Sequence, residues 1–221
     1  MAKSRMIETN IGLQGELIAK DYDEIMKESR DKGHLYTEEI IKFGITNCNA
    51  LEIGPGPGYL GLEWLKKTNG STLIALDISS DMIKIAEKNA DDYGYLNNRV
   101  KYQIYDAKEL PFDDNTFEAV FTNASLHEWE SAVATFNEIH RVLQINGRYF
   151  ISDLRRDMNF IIKSLMKSQT KKKDMRLGLI SSINAAYTED ELYSILQKTN
   201  LTEYEISKNP FSIFIKGIKK Q

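Results

Sequence analysis

The chain is predicted to fold as a doubly wound α/β domain with a mostly parallel, seven-stranded, Rossmann-like sheet. Three observations support this prediction. Short apolar segments alternate with helical ones along most of the 221 residues, and a glycine-rich loop follows the first apolar segment directly. The hydrophobic share is 42% with only four prolines, as in an ordinary globular protein. A chain of this length can bury its apolar side chains in one core.

The elements follow in order from the hydrophobic periodicity. Strands are expected at residues 48–53, 72–76, 100–104, 119–123 and 148–152, with helices at 59–67, 80–89 and 131–143. Asn146 and Gly147 are expected to end the last of these helices as a C-cap or turn. Helices are then expected at residues 158–173 and 189–198, and Thr188 with Glu191 forms a capping box for the second.

The last two predicted strands, residues 201–207 and 211–218, are joined by a short turn. Because a parallel crossover needs more chain, these strands either pair antiparallel or separate across the sheet. We therefore expect an antiparallel C-terminal strand.

Two helical segments are expected to flank this sheet. Residues 1–45 are interpreted as a helical cap, residues 46–221 as the α/β domain, and residues of about 154–187 as a helical insertion. Both flanking segments carry apolar residues among charges, namely Leu13, Leu17, Ile18, Ile25, Phe160, Ile161, Leu165 and Leu177. We expect these residues to turn inward and form a lid over the strand ends, although the same pattern would also complete a core.

The amino-acid composition limits the kinds of partner and the compartment that are expected for the protein. The formal net charge is −3, so no positive field favours nucleic acid. The single cysteine, Cys48, suits a reducing compartment and is interpreted as a small buried residue. No signal peptide or membrane-length apolar run is present, which predicts a cytoplasmic protein without stable membrane insertion, as a monomer or homodimer. Lys171, Lys172 and Lys173 are interpreted as a solvated helix end rather than as a site for an acidic partner or membrane.

The glycine-rich loop is the sharpest motif. Gly54, Gly56 and Gly58 alternate with two prolines after the first strand, where ligands bind in open α/β sheets. Glycine lets the backbone turn tightly and lets a ligand approach without meeting a Cβ atom. Residues 56–61 also match the dinucleotide fingerprint, and Asp77 lies 21 residues after Gly56, where an acid binds ribose hydroxyls. The glycines and this acid alone leave an NAD-dependent oxidoreductase open.

Three features favour a cofactor that carries an amine over one that carries a pyrophosphate. Glu52 precedes the first glycine, where a carboxylate suits an amine. Pro55 and Pro57 remove two N–H donors that a phosphate would use. Asp106 follows the third strand, where it can accept a hydrogen bond from an adenine amino group.

Residues from about 48 to 153 resemble the class I S-adenosylmethionine-dependent methyltransferases, in particular the ubiquinone/menaquinone-biosynthesis-like (methyltransferase type 11) branch. The motifs that carry the resemblance are Glu52-Ile53-Gly54-Pro55-Gly56-Pro57-Gly58, Leu76-Asp77-Ile78-Ser79, Asp106-Ala107, Leu110-Pro111-Phe112-Asp113 with Phe117-Glu118-Ala119-Val120, and Arg141-Val142-Leu143-Gln144-Ile145-Asn146-Gly147. In the last motif Ile145 stands for the family's proline and Asn146 for a glycine.

The resemblance implies S-adenosylmethionine as cofactor and in-line methyl transfer to a small molecule. The implied cofactor-binding residues are Glu52, Gly54, Gly56, Gly58, Asp77, Ile78, Met82, Asp106, Ala107 and Asn123. In the family's pattern Asp77 would bind both ribose hydroxyls, and Ile78 and Met82 would pack on adenine. A non-catalytic protein that binds S-adenosylmethionine remains an alternative, because binding and catalytic residues largely coincide in this fold.

The acceptor is expected beside residues 122–129, after the fourth strand. His127 is the candidate general base, because an imidazole titrates near neutral pH, although it would also suit a loop-packing role. Glu128 is interpreted as solvated. No catalytic triad or metal cluster is apparent, and alignment of donor and acceptor can supply much of the rate without one.

Other polar residues have weaker indications. Tyr22 and Tyr36 are expected to close over the cofactor or to pack within the cap, because an aromatic face suits a sulfonium charge. His140 is interpreted as a surface residue. His34 could face the pocket but is interpreted as lying outside it.

Overall fold

The computed structural model describes residues 4–6 and 15–221, in which helices flank one seven-stranded sheet. The strands are β1 (Asn49–Ile53), β2 (Thr72–Asp77), β3 (Val100–Ile104), β4 (Phe117–Asn123), β5 (Leu143–Leu154), β6 (Tyr204–Lys208) and β7 (Ser212–Ile218). The helices are α1 (Glu16–Asp31), α2 (Thr37–Lys42), α3 (Tyr59–Lys67), α4 (Ser80–Asp92), α5 (Ala132–Val142), α6 (Phe160–Gln169), α7 (Lys173–Ala185) and α8 (Glu189–Leu196), with a 3-10 helix at Leu126–Glu128. None of the helices in this part of the chain is long and apolar enough to cross a membrane.

The strand order across the sheet is β3-β2-β1-β4-β5-β7-β6. β1 pairs in parallel with both β2 and β4, so the winding reverses direction between β1 and β4. β7 is antiparallel to β5 and to β6, which confirms the predicted antiparallel C-terminal strand. A ligand crevice is expected at the carboxyl ends of β1 and β4, because the connecting loops there diverge to opposite faces of the sheet.

The core lies on both faces of the sheet. On one face Trp64 of α3 packs on Phe121 of β4, with ring centroids 5.3 Å apart. On the other face Phe136 of α5 is fully buried and contacts Trp129 edge to face at 5.4 Å. Strands covered on both faces carry near-continuous apolar residues, and four of the five residues of β1 are buried.

Local signals in the sequence explain several helix starts. The side chains of Ser79 and Ser131 accept hydrogen bonds from the backbone of α4 and α5, each at 3.3 Å. Thr188 and Glu191 form the predicted capping box at α8. These caps fix where three of the crossover helices begin.

Two elements differ from the predictions. Residues 158–173 form no single helix: α6 ends at Gln169, and the Thr170 hydroxyl donates to the Met166 carbonyl at 2.9 Å while its backbone turns extended. Lys172 then precedes α7 and pairs with Asp21 and Glu24 of α1, each at 2.6 Å. Asn146 does not cap a helix either. It lies within β5 with φ of 68°, where the register against β4 shifts.

The predicted inward apolar face of the flanking segments is wrong for most of its residues. Leu17 is 79% exposed, Phe160 75%, Ile161 60% and Leu177 56%, and Ile18 and Leu165 are also exposed. Ile25 is half-buried, and Leu13 lies outside the described residues. The buried residues of α7 are Met175, Ile183 and Ala185 instead. No residue of α6 is buried, and Ala19 is the buried residue among the described ones of α1, so the apolar residues of these surface helices do not mark a core.

Candidate active site

A cleft with about 1030 Å³ of space, partly open to solvent, lies at the carboxyl ends of β1, β2 and β4. Tyr22 and Met26, which are four residues apart on one face of α1, lie along it. Nine of the ten predicted cofactor-binding residues line this cleft, namely Glu52, Gly54, Gly56, Asp77, Ile78, Met82, Asp106, Ala107 and Asn123. Gly58 does not line the cleft, since it stands at the N-cap of α3.

The three loop glycines have different physical roles. Gly54, Gly56 and Gly58 all have positive φ angles, of 64°, 53° and 85°. A Cβ atom at Gly58 would lie 2.6 Å from the Tyr102 hydroxyl, so packing of the fold requires that glycine. A Cβ atom at Gly56 would meet only the Tyr22 ring, at 3.3 Å. Gly56 is therefore the glycine that opens the loop backbone toward the cleft and the helix above it.

Asp77 joins the end of β2 to the glycine loop. Its Oδ2 accepts a hydrogen bond from the Gly56 amide at 3.1 Å, and its Oδ1 accepts one from the Ser79 amide at 2.9 Å. Burial raises the pKa of this carboxyl, while the backbone amides of Ser79, Gly56 and Ile78 oppose that rise. The carboxylate therefore organises the loop and faces the cleft at the same time.

Glu52 is a buried acid at the base of the cleft. It is 1% exposed, and its Oε2 atom makes no hydrogen bond to any described residue. Burial raises the pKa of this carboxyl to about 8, the Gly61 amide opposes the rise, and the nearby Asp77 adds to it. A Cβ atom at position 61 would lie 2.3 Å from Oε2, so a glycine is needed there to accommodate the acid. A buried polar atom without a partner, next to a cleft, is suited to a ligand that donates a hydrogen bond.

The loop after β3 forms the opposite wall. Asp106 accepts from the Lys108 amide at 3.0 Å, and the Lys108 ammonium lies 3.3 Å from its carboxylate while also contacting Glu130. Ala107 is half-buried beside it. Met82 and Ile78, which follow the neighbouring strand β2, also line the cleft and are 2% and 40% exposed. Two apolar side chains and one acid thus face the same space.

The loop after β4 supplies residues that the sequence did not single out. Ser125 and Trp129 line the cleft, and the indole of Trp129 donates to the Ser125 hydroxyl at 3.0 Å. Beside them Asn123 accepts from the Ser152 hydroxyl at 2.8 Å. Ser125 and Trp129 lie four residues apart after the end of a strand. This spacing does not distinguish, from sequence, residues that line a cleft from residues of an ordinary turn.

His127 lies behind this wall, outside the cleft lining, and is 3% exposed. Asp153 at the end of β5 accepts from the His127 amide at 2.6 Å and contacts its Nδ1 at 2.7 Å. The same carboxylate accepts from the Leu154 amide at 2.7 Å. Because a carboxylate only accepts hydrogen bonds, this contact favours the tautomer with the proton on Nδ1, while Nε2 lies 4.0 Å from the Glu128 carboxylate. Asp153 was missed from sequence, since nothing local links the ends of β4 and β5.

The remaining predicted residues separate into two groups. Tyr22 and Glu128 line the cleft, although Glu128 was expected to be solvated. Tyr36 lies away from it, where its hydroxyl bonds Ser212 at 2.8 Å and its ring packs on Phe214. His34 is exposed, and His140 is half-buried with its pKa lowered by burial.

Cys48 is half-buried, less than expected, and burial raises the pKa of its thiol to about 12.

Comparison with known proteins identifies the family. A family model described as a methyltransferase domain matches residues 46–200. The chain belongs to this methyltransferase family. It is a class I S-adenosylmethionine-dependent methyltransferase that is similar to the ubiquinone/menaquinone-biosynthesis-like branch, as the resemblance implied.

Individual relatives agree with this assignment. The ubiquinone/menaquinone biosynthesis C-methyltransferase UbiE of Blochmanniella pennsylvanica is 31% identical over 120 residues, which are 54% of this chain and 45% of that enzyme. UbiE of Rickettsia rickettsii is 26% identical over 84% of this chain and 82% of its own length. A protein of Methanococcus maripaludis, provisionally assigned as an S-adenosyl-L-methionine-dependent methyltransferase, superposes with a TM-score of 0.74 at 26% identity, over 99% of this chain and 98% of that one.

The cofactor is therefore S-adenosylmethionine, and the NAD alternative is set aside. The cleft fits this cofactor on its own evidence. Five acids line it, Glu52, Asp77, Asp106, Glu128 and Glu130, and no lysine, arginine or histidine of the described residues does. An acidic lining favours a ligand that carries a sulfonium and an ammonium group.

Proposed function

We propose that this methyltransferase binds S-adenosylmethionine in the cleft and methylates a small molecule that enters between α1 and the loop after β4. The observation that carries the proposal is the position of Tyr22 and Met26, which place one face of α1 over the cleft. A cleft bounded by a helix on one side and by the ends of three strands on the other suits a compact acceptor. The UbiE relatives are named for ubiquinone/menaquinone biosynthesis, which agrees with a small acceptor.

Specific residues are proposed to hold the cofactor. Asp77 would accept hydrogen bonds from the ribose hydroxyls. It would use the carboxylate lone pairs that are not already occupied by the Gly56 and Ser79 amides. Asp106 would accept from the adenine amino group, with Ile78 and Met82 against the ring. The unpartnered Oε2 of Glu52 would accept from the amine of the methionine part. Gly54, Gly56 and Asn123 would line the same part.

Alignment is the main catalytic task of the chain. When bound, S-adenosylmethionine supplies a methyl group on a sulfonium, which is already activated toward a nucleophile. The protein has to exclude water and orient the acceptor, and the high effective molarity of an oriented pair can then supply much of the rate. Tyr22, Ser125 and Trp129 are proposed to form that acceptor side, since they lie on the elements that close the cleft.

His127 is proposed as the base for an acceptor that must lose a proton. Asp153 contacts its Nδ1 atom. His127 belongs to the 3-10 helix Leu126–Glu128, which is part of the same loop after β4 as Ser125 and Trp129. Because His127 lies behind the cleft lining, proton transfer would require a small movement of this loop or a bridging group.

The experiment that tests the function uses the transferred methyl group as a label. The protein is incubated with S-adenosylmethionine carrying a radioactive methyl group and with an undesalted cell lysate, which keeps its small molecules and is then divided by a 3 kDa filter. We expect label in the filtrate as a new species distinct from the cofactor. A parallel reaction with excess S-adenosylhomocysteine should remove it. Label confined to protein or nucleic acid would contradict a small-molecule acceptor.

A further inference from the structure

Helix α6 presents an apolar face that nothing in the described chain covers. No residue of this helix is buried, and Phe160, Ile161 and Leu165 are 75%, 60% and 43% exposed. Ile161 and Leu165 lie four residues apart on one side of the helix, and Phe160 stands next to Ile161 at the helix N-terminus. A lone exposed apolar residue is ordinary, but three on one short helix form a patch that usually marks a contact surface.

The same segment is strongly basic. Residues 158–173 contain five lysines and no aspartate or glutamate, within a chain of net charge −3. Lys167 lies two helical turns after Phe160 on the same side, Lys163 donates to the Arg156 carbonyl at 2.6 Å, and Lys171 to Lys173 follow the helix end. Lys172 pairs with Asp21 and Glu24 of α1, so this lysine fixes the segment to α1. A positive, aromatic-containing amphipathic helix on an acidic protein is complementary to an anionic lipid surface.

The helix that follows this surface contacts the elements beside the cleft. α7 follows α6 directly and contacts both α1 and the 3-10 helix Leu126–Glu128. Leu177 on α7 is also 56% exposed. Leu17 shares a face of α1 with Asp21 and Glu24, which hold Lys172, and it is 79% exposed. Exposed apolar residues thus occur on α1 and α7 as well as on α6.

We propose that the α6 face, defined as Phe160, Ile161 and Leu165, docks reversibly on an anionic phospholipid bilayer through these side chains and the lysines beside them. Docking inserts the apolar side chains at the level of the headgroups, while the ammonium groups lie among the lipid phosphates. It would bring the acceptor side of the cleft to the bilayer surface. The surface proposal stands on residues 158–173 alone and does not depend on which molecule is methylated.

The test is sedimentation of the full-length protein with vesicles. Vesicles of phosphatidylcholine with 30% phosphatidylglycerol are compared with vesicles of phosphatidylcholine alone, at low and high salt. We expect binding to the anionic vesicles, weaker binding at high salt, and at most slight binding to the neutral ones, because each lysine near an anionic surface contributes about a fivefold change in affinity.

Two double variants separate the apolar and the electrostatic contributions. Phe160→Ser with Ile161→Ser removes most of the apolar face, and Lys171→Glu with Lys173→Glu reverses two charges. Each should weaken binding to anionic vesicles, the charge variant by about 25-fold or more from the same contribution per lysine. Matched controls are Ile145→Ser, at a 49% exposed isoleucine in β5, and Lys101→Glu with Lys198→Glu, at two exposed lysines elsewhere. The controls should bind as the wild type does.

Several outcomes would overturn the proposal. Equal binding to both kinds of vesicle would show that charge plays no part. Equal losses in the control variants would show a general effect of charge or hydrophobicity. A dimer in sedimentation equilibrium that Phe160→Ser with Ile161→Ser dissociates would show that a second copy of the chain covers the face. Affinity for S-adenosylhomocysteine, measured on each variant, should stay unchanged and confirms that the fold is intact.

Discussion

Burial makes it costly for a side chain in the cleft to become charged, and Glu52 shows this most clearly. Its folded pKa of about 8 lies above its ordinary value of 4.5 because the carboxyl is buried. Between these two values the folded protein holds a proton that the unfolded chain has lost, so the free energy of unfolding falls as pH rises. The slope is about 1.4 kcal/mol per pH unit, and it disappears above the folded pKa.

Glu52→Gln should remove this pH dependence. The amide stays neutral at every pH, so the variant should gain stability over the wild type as pH rises from about 5 to 8, as measured by urea unfolding. It should also bind S-adenosylhomocysteine more weakly, because an amide cannot compensate an ammonium charge. Glu109→Gln, at an exposed acid, is the control. Parallel stability curves for wild type and Glu52→Gln would refute the buried, protonated carboxyl.

Asp77 is the second residue for which the structure sharpens an expectation. Asp77→Ala should weaken binding of S-adenosylhomocysteine by about 1.5–3 kcal/mol, through lost hydrogen bonds to the ligand and a less ordered Gly56 amide. Calorimetry measures the loss. Asp92→Ala, at an exposed acid near the end of α4, should bind normally. An unchanged affinity in Asp77→Ala would limit this carboxylate to shaping the loop.

At the scale of elements, the position of the glycine loop could be predicted from sequence, but the separate structural role of each glycine could not. The alternation of Gly54, Gly56 and Gly58 marks a strand-to-helix turn from sequence alone. Only the structure shows that Gly58 is fixed by Tyr102, which is distant in sequence, whereas Gly56 faces α1. Tertiary contacts of this kind leave no local pattern.

Gly56→Ala should abolish or strongly reduce cofactor affinity, because the methyl group lies between the loop and Tyr22. A positive φ angle costs any L-residue about 1–2 kcal/mol, so stability will fall as well. Gly70→Ala controls for that cost, because Gly70 has φ of 77° and open space around its Cβ position. Equal affinity for S-adenosylhomocysteine in both variants, measured by calorimetry, would mean that Gly56 serves only the turn.

Other family motifs hold each other rather than the cofactor. The Arg141 guanidinium donates to the carbonyls of Leu110 at 2.9 Å and Phe112 at 2.6 Å, and pairs with Glu138 at 2.7 Å. Glu138 in turn accepts from the Leu110 amide at 2.8 Å. The Leu110-Pro111-Phe112 segment is thus tied to the last turns of α5. The sequence shows both motifs but not that they are in contact.

For the whole molecule, the order and type of the strands followed from hydrophobic periodicity, because a sheet buried on both faces selects for continuous apolar segments. The flanking helices did not follow, since α6 and α7 lie on the surface and apolar residues there do not mark a core. The predicted domain limits, cap and insertion stay predictions, as does a monomeric or homodimeric state. The lid itself now depends on Tyr22 and Met26 rather than on the apolar residues first proposed for it.

Removal of α1 tests whether the molecule needs this helix to retain its ligands. Deleting residues 1–31 should leave a folded protein, because Ala19 is the single buried residue among the described ones of α1. The truncated protein should release S-adenosylhomocysteine at least about tenfold faster in stopped-flow experiments, since a lost apolar contact of this size is worth about 1.5 kcal/mol or more. Tyr22→Ala with Met26→Ala should reproduce the effect within an intact helix, whereas Leu17→Ser, on an exposed side chain, should not. Wild-type release rates in both the truncated and the doubly substituted protein would show that α1 covers the cleft without holding its ligand.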